Sequence, residues 1–272
     1  MRILFILAIL LTSCLLGKAQ ELKTKKQQNE AFTELFQVDK KTRQRNGSFL
    51  KLSSQNNDTL VIGQYASDSV SGIWTYYDLK NEPYLKYDHT NDSCLWVSEL
   101  ASKPDTFPIR IKKNFGFAQL QRPPLYIGFR KELDVRFASQ LKAPVEIMKK
   151  GESLTGMATF VVTRYGKISE IETGKIENKQ LKAEVDRIFN AFAGNWLPGI
   201  YNGQKVDTKL YVFFQIDPAG VEFTKSDKPY ISTIGISYFG ITETKVMQTK
   251  VVRTTGQPLF RGVPSGTIPR GF

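Results

Sequence analysis

The sequence predicts a two-layer α+β domain that follows an all-β meander. The first observation is an amphipathic helix set between short alternating strands, from about residue 123 to 217. Its apolar stripe must be buried against an antiparallel sheet, and this gives two layers. The second observation is a series of period-two runs from about residue 46 to 98, separated by Asn, Asp, Ser and Gly, which is typical of β-hairpins in series.

The chain begins with a short apolar run, Ile3–Leu16, behind Arg2. Small residues end this run, so residues 1–19 are predicted to be a secretory signal peptide that is cleaved after Ala19 and directs the chain to the periplasm. The run is shorter than the roughly 20 residues that a membrane-spanning helix needs. A lipoprotein signal is the alternative, because the residues around Cys14 resemble a lipobox and a lipid on Cys14 would anchor the chain to the cell envelope.

The composition is that of a globular protein of 272 residues, with 41% hydrophobic and 24% charged residues. The formal net charge is +12, but the lysines are scattered and the predicted export argues against a nucleic-acid partner. Once the predicted leader is removed, Cys94 is the one remaining cysteine, so no intramolecular disulfide can form. We expect Cys94 to be a small buried apolar residue, with an intermolecular bridge as the alternative.

Residues 20–45 are polar and basic, and the sequence predicts one short helix or extended segment there. In the meander, residues 46–98, a glycine stands two residues before an aromatic residue at Gly47 and Phe49, at Gly63 and Tyr65, and at Gly72 and Trp74. These units resemble the MORN-type repeats of exported bacterial proteins, which implies an aromatic-ribbed sheet rather than a catalyst. Residues 99–122 are predicted to be a linker, because Arg122-Pro123-Pro124 stiffens the chain.

The region from 123 to 217 carries the helices and strands of the predicted two-layer domain. Its elements, in order, are helices at about 131–141 and 144–151, strands at 156–162 and 168–173, a helix at 178–194 and a strand at 205–216. Trp196 follows the last helix, and turn-forming residues then lead into the final strand. Residues 218–272 are predicted to be a β-prone segment and a flexible tail.

Several pieces of this region together resemble the C-terminal domain of TonB, in the variant found in Bacteroidetes-type proteins. The matching positions are Pro144, Glu146, Lys149–Gly151, Gly156–Val162, Gly166–Ile168, Trp196, Pro198, Gly199 and Asn202–Val206. The resemblance implies a helix–strand–strand–helix–strand domain with an antiparallel sheet. Its structural motif positions are Trp196, Pro198, Gly199, Asn202 and Gly203.

The same resemblance implies a protein partner. TonB-type domains pair an edge strand with a short extended peptide, the TonB box of outer-membrane receptors. An edge strand can do this because its outer N–H and C=O groups are unpaired. The resemblance places the edge at the final strand, at Val206, Asp207, Thr208, Lys209, Leu210, Tyr211 and Val212.

The sequence predicts no catalytic chemistry and no cofactor or metal. His89 is the one histidine and has no Cys or His neighbour, and the chain has neither a Gly-x-Ser-x-Gly elbow nor a phosphate loop. We therefore expect an exported TonB-like protein-binding module that supports transmembrane transport. The alternative is a periplasmic or surface structural adaptor with no energy-transducing role, because the transducer's membrane helix and proline-rich spacer have no counterpart here. The partner's identity and the oligomeric state are left open.

Overall fold

The computed structural model describes residues 21–29, 31–78, 80–191, 195–224, 226–239, 252–254 and 257–258. Across these residues the protein is mostly antiparallel β-sheet with four helices, which confirms the predicted β-rich α+β character. The predicted signal peptide, including Cys14, lies outside the described residues, as does most of the predicted tail. None of the helices in the described ranges is long and apolar enough to cross a membrane.

Seven antiparallel strands form the first sheet, here called the meander sheet, and follow one another in chain order. They are β1 (Leu22–Gln28), β2 (Phe32–Asp39), β3 (Arg45–Ser53), β4 (Thr59–Ala66), β5 (Ser69–Tyr77), β6 (Pro83–Asp88) and β7 (Ser93–Val97). β1 and β2 correct the prediction for residues 20–45, because they belong to the same sheet as the repeats. β1 is polar on both faces, so no period-two pattern marks it in the sequence.

The inner face of the meander sheet is a row of aromatic rings. Phe49 stacks on Trp74 with 5.2 Å between ring centroids, and Trp74 stacks on Tyr76 at 6.3 Å. Gly63 lies under the indole of Trp74, where a Cβ atom would overlap the ring. This glycine therefore leaves room for the aromatic side chain of Trp74 on the neighbouring strand.

Residues 99–122, predicted to be a linker, form folded structure instead. They contain α1 (Glu99–Ser102), β8 (Asp105–Ile111) and β9 (Asn114–Leu120). β8 and β9 form a hairpin, and Ile109 of β8 pairs with Thr208 of the second sheet. The apolar partners of this hairpin come from residues 201–230, so the local sequence pattern does not reveal that the hairpin is ordered.

The remaining elements build a second sheet, here called the mixed sheet, with three helices packed against it. They are β10 (Leu125–Tyr126), α2 (Glu132–Gln140), α3 (Val145–Lys150), β11 (Leu154–Val162), β12 (Ile168–Glu172), α4 (Lys179–Ala191), β13 (Trp196–Leu197), β14 (Gly199–Tyr201), β15 (Gln204–Val206), β16 (Thr208–Pro218), β17 (Ile231–Tyr238), β18 (Val252–Thr254) and β19 (Gln257–Pro258). The strand order is β12-β11-β16-β17-β18-β19, and the β8–β9 hairpin joins beside β16. β10 pairs with β13, and β14 with β15, in two small sheets.

The helix α4 is held by the apolar stripe that its sequence displays. Leu181, Val185, Ile188 and Phe189 are buried, and they recur at intervals of one to four residues along the helix. Phe189 packs against Phe160 of β11 at 5.6 Å between ring centroids. Truncating such a fully buried aromatic residue to alanine costs about 3–5 kcal/mol, so this contact is central to the stability of the mixed sheet.

The two sheets are joined by the segment around β10 and the start of α2. The hydroxyl of Tyr84 in β6 donates to the carbonyl oxygens of Tyr126, at 3.1 Å, and of Gly128. Phe129 packs edge-on against Phe32 of β2, with 5.3 Å between ring centroids. The meander sheet therefore shares a buried core with residues that precede α2.

Candidate functional site at the edge of the meander sheet

The strand predicted to accept a peptide, β16, lies inside the mixed sheet. On one side it pairs antiparallel with β11 along its length, from Thr208 opposite Val162 to Ile216 opposite Leu154. On the other side it pairs parallel with β17, from Tyr211 onward. Because both rows of main-chain groups are engaged over this stretch, the placement of the sheet edge at β16 is corrected.

The structure gives the seven residues predicted to bind peptide other roles. Val206 ends β15, and the Asp207 carboxylate accepts from the Arg164 amide at 2.8 Å and pairs with Arg110 at 3.3 Å. Thr208 is fully buried, and Lys209 pairs with Glu172 at 3.1 Å. Leu210 packs beside the β8–β9 hairpin, and Tyr211 packs against the ring of Tyr230. Val212 lies in the core of the mixed sheet.

The five predicted motif positions shape the chain between α4 and β16. Trp196 is 7% exposed and packs against Tyr126 and Phe160. A Cβ atom at Gly199 would lie 2.7 Å from the hydroxyl of Thr208, and Asn202 and Gly203 have the positive φ angles of the tight turn from β14 to β15. The carbonyl oxygen of the fifth, Pro198, accepts a hydrogen bond from Arg122 at 2.9 Å. In this structure these positions fix the packing and the backbone turns between α4 and β16.

Two of the outer strands, β1 and β12, carry features that oppose further pairing. β1 presents Lys23, Lys25 and Lys26, all exposed. β12 has a register irregularity and an exposed Glu170 with φ of 47°. Charged side chains on an edge strand oppose the addition of another strand, so neither edge suits a partner.

The outer strand β9 is also uncharged, and its Phe117 is 63% exposed, but both of its aromatic side chains contact other residues of the protein. Phe117 packs against the ring of Tyr230 at 5.5 Å between centroids. Phe115 is covered by the guanidinium of Arg110, at 4.5 Å from the ring centroid, and by the ammonium of Lys209, at 5.4 Å. This edge is therefore a weaker candidate than β7.

The outer strand β7 combines an unpaired edge with exposed apolar side chains. It has no charged residue, and in the described part of the chain it pairs with β6 alone. Leu95 is 51% exposed and Trp96 is 42% exposed, and neither ring nor ion contacts the indole of Trp96 within the described ranges. Leu100 of α1, which follows directly, is 57% exposed. We take this apolar edge, defined by Leu95, Trp96, Leu100 and the main chain of β7, as the candidate site.

The register of β7 shows which main-chain groups face outward. The Ser98 amide donates to the Tyr84 carbonyl on the β6 side at 2.9 Å. Successive residues of a strand direct their N–H and C=O groups to opposite sides, so the N–H of Val97 faces outward. The register shifts between Cys94 and Trp96, which makes Leu95 the extra residue of a bulge. Before the bulge, Ser93 lies opposite Asp88, and its main-chain N–H and C=O groups face β6. The main-chain groups of Cys94 therefore face outward.

Arg122 carries a positive charge that acts on the thiol of Cys94. Its guanidinium is close enough to Cys94 to oppose the effect of burial, which raises the pKa of the Cys94 thiol. Burial in turn lowers the pKa of Arg122. The Arg122 Nε atom is buried and has no hydrogen-bond partner in the part of the chain that the structure describes.

We also considered metal-binding groups and the histidine among the described residues. No group of three or more His, Cys, Asp or Glu side chains in the described ranges could hold a metal ion. His89 is half-buried, and its Nε2 lies 2.7 Å from the Tyr76 hydroxyl. Burial lowers the pKa of His89, while the nearby carboxylates of Asp92 and Asp88 oppose that shift.

The chain matches no family model, no curated protein and no solved structure. The TonB-type and MORN-type resemblances therefore stay predictions from the sequence, and the candidate site is argued from its geometry alone.

Sequence reasoning missed the residues of this edge. The sequence predicts only a short strand at Leu95–Val97, at the end of the meander, and places Arg122 at the end of a linker. One signal was present, since a strand with neither charge nor proline is unusual at an exposed sheet edge. Finding it required knowing that β7 is the last strand of its sheet, which is a property of the tertiary structure.

Proposed function

We propose that the protein is an exported, non-catalytic binding module of the cell envelope that pairs its β7 edge with an extended segment of a partner protein. The single observation that supports this is the uncharged, exposed edge of β7 beside Leu95, Trp96 and Leu100. The proposal keeps the binding mode implied by the TonB-type resemblance and moves it from β16 to β7. The partner would be a TonB-box-like segment of an outer-membrane transporter, and binding would support transmembrane transport.

Strand addition uses main-chain groups that are otherwise bonded to water. Each new hydrogen bond contributes a net of about 0.5–1.5 kcal/mol, so a few of them give only weak binding. The apolar side chains beside the edge supply the rest, because Trp96 and Leu95 can each bury a large surface against an added strand. Side chains of the partner would thus set specificity, and its main chain would set the geometry.

A structural adaptor is the second candidate, and the outer face of the meander sheet favours it. Ile62 of β4 and Ile73 of β5 are exposed there, on strands in the interior of the sheet. A protein that docks on this face would use side-chain contacts rather than strand pairing. The two candidates therefore differ in whether the outward N–H groups of β7 are needed.

The test compares Val97→Pro with Val97→Thr in the mature chain. Proline removes the outward N–H, whereas threonine keeps the N–H and nearly the same shape. We expect Val97→Pro to weaken binding of a fluorescent TonB-box peptide about tenfold or more, and Val97→Thr to bind like the parent. Circular dichroism shows whether each variant is folded.

Two results would overturn the proposal. If the parent binds no such peptide, the module has no affinity for extended segments of this class. If folded Val97→Pro binds as the parent does, the β7 main chain is not the binding edge, and the outer face around Ile73 becomes the surface to test.

A further inference from the structure

The inner face of the meander sheet borders a cleft that strand addition at β7 does not use. The cleft has a volume of about 350 Å³, which is within the range of roughly 300–1,000 Å³ that is typical of small-ligand sites. Residues of β2 to β5 line one side, and residues 126–128 together with Glu132 and Arg136 of α2 line the other. None of the residues of β7 lines this cleft, so it is separate from the candidate edge.

Aromatic rings form the apolar part of the cleft. The rings of Tyr65 and His89 are oriented edge-on to the indole of Trp74, at 5.4 and 5.5 Å between ring centroids. Trp74 belongs to β5, while Tyr65 belongs to β4 on one side of it and His89 follows β6 on the other. Tyr65 and His89 are half-buried, whereas Trp74 is 5% exposed. The cleft therefore has an aromatic base between two partly accessible rings.

Two ion pairs form the polar part of the cleft. Glu34 pairs with Lys51 at 3.1 Å, and Glu132 pairs with Arg136 at 2.6 Å. The side chains of Lys51 and Glu132 are 12% and 8% exposed, so both pairs are shielded from bulk water on at least one side. These two acids and two bases balance one another in charge.

The paired charges favour a neutral ligand over an ionic one. An ion in the cleft would have to compete with a charge that already has a partner, and separating a shielded ion pair is costly. A hydroxyl group can instead donate to a carboxylate or accept from an ammonium or guanidinium group, and neither pair is then separated.

We propose that this cleft binds a neutral carbohydrate. A sugar ring has C–H groups on its faces and hydroxyl groups around its rim, so it matches aromatic rings that lie beside paired charges. Its hydroxyl groups would replace the water that hydrates a polar cleft of this size, and they would reproduce the hydrogen bonds of that water. The inference adds a second ligand to the proposed function, and neither site depends on the other.

The first test is calorimetric titration of the mature chain with three neutral disaccharides, namely cellobiose, maltose and diacetylchitobiose. We expect at least one of them to bind with a Kd below about 1 mM. Two charged counterparts are titrated beside them: cellobiuronic acid, which adds a carboxylate, and deacetylated chitobiose, which adds ammonium groups. Each should bind at least about fivefold more weakly than its neutral counterpart, because its charge competes with the existing ion pairs.

The second test changes the two kinds of contact separately. Tyr65→Leu removes a flat ring beside the base and should weaken sugar binding about tenfold. Glu34→Gln keeps the size of the side chain but removes its charge, and it should weaken binding about fivefold. Glu82→Gln is the matched control, because Glu82 is exposed between β5 and β6 and does not line the cleft. It should bind as the parent does.

Each result supports or overturns the proposal. Absence of binding by all three neutral disaccharides overturns it, and so does tighter binding of the charged counterparts. If sugar binds equally to the parent and to folded Tyr65→Leu and Glu34→Gln, the cleft is not the site. Should these variants fail to fold, the parent still decides, because His89 is the one histidine of the sequence and lines the cleft. Its imidazole NMR signals should shift when sugar binds, and unshifted signals with bound sugar would place the ligand elsewhere.

Discussion

The two outer strands of the meander sheet, β1 and β7, differ in whether charged side chains protect their free edge from pairing with another strand. β1 reads Leu-Lys-Thr-Lys-Lys-Gln-Gln and is exposed along nearly its whole length, so its lysines keep other strands away. β7 reads Ser-Cys-Leu-Trp-Val and exposes apolar side chains on a strand without charge. The bulge at Leu95 limits pairing only locally. Because both strands belong to one sheet, the difference lies in the individual strands and is not a general property of the fold.

The largest expected effect comes from giving β7 the protection that β1 has. The double variant Leu95→Lys and Trp96→Lys should weaken peptide binding about a hundredfold, because it removes the apolar anchors and adds charge to the edge. Fluorescence polarisation measures the affinity. Ile73→Lys is the control, since Ile73 is 55% exposed on an interior strand of the same sheet, and it should bind as the parent does. Equal losses in both variants would mean that the comparison of edges is mistaken.

The converse change removes the protection of β1. Replacing Lys23, Lys25 and Lys26 by threonine creates a second uncharged edge with high strand propensity. We expect this variant to self-associate at concentrations where the parent's mass does not change, as measured by light scattering coupled to size-exclusion chromatography. A variant with three of the exposed lysines outside the sheet replaced, at Lys142, Lys149 and Lys150, has the same net charge and should behave like the parent. An unchanged mass of the β1 variant would argue that its lysines are not what blocks pairing.

A smaller effect separates the interior of the sheet from its open edge. Gly63→Ala should lower the free energy of unfolding by about 1–3 kcal/mol, because the new methyl group overlaps the Trp74 indole and the rings must shift. Leu95→Ala should change it by less than about 0.5 kcal/mol, since the side chain is half exposed and contributes little to the core. Urea denaturation measures both values. If Leu95→Ala proves as costly as Gly63→Ala, Leu95 is a stability residue rather than a binding residue.

The smallest effect concerns His89, which lies on the inner face beside the aromatic row. Burial lowers its pKa in the folded state below the usual value of 6.5, so between the folded and unfolded pKa values the unfolded chain binds more protons. The free energy of unfolding should therefore fall as the pH drops below about 6.5, and level off below the folded pKa. Subtracting the pH profile of His89→Gln from that of the parent isolates this term. Peptide binding should show no corresponding step, and a step there would connect the inner face to the β7 edge.

The sequence alone is enough to predict those helices and strands whose burial pattern repeats within a few residues. The apolar stripe of α4 and the alternation in β11 and β16 predict these elements because a helix or strand repeats its burial pattern within a few residues. The run of turn signals in the meander likewise follows from neighbouring strands that pair through short connections.

Which strands are edges depends on non-local pairing, so it follows from the folded structure and not from the local sequence. β16 loses its predicted edge to β17, a parallel neighbour reached through residues 219–230, and parallel pairing leaves no short-range signature in the sequence. The hairpin β8–β9 is ordered by residues far along the chain. Which charged side chains form ion pairs also depends on the fold, because pairs such as Arg110 with Asp207 join positions that are distant in the sequence. Non-local contacts of this kind form only in the folded chain as a whole. The candidate edge could therefore be identified only when the pairing of the strands was known.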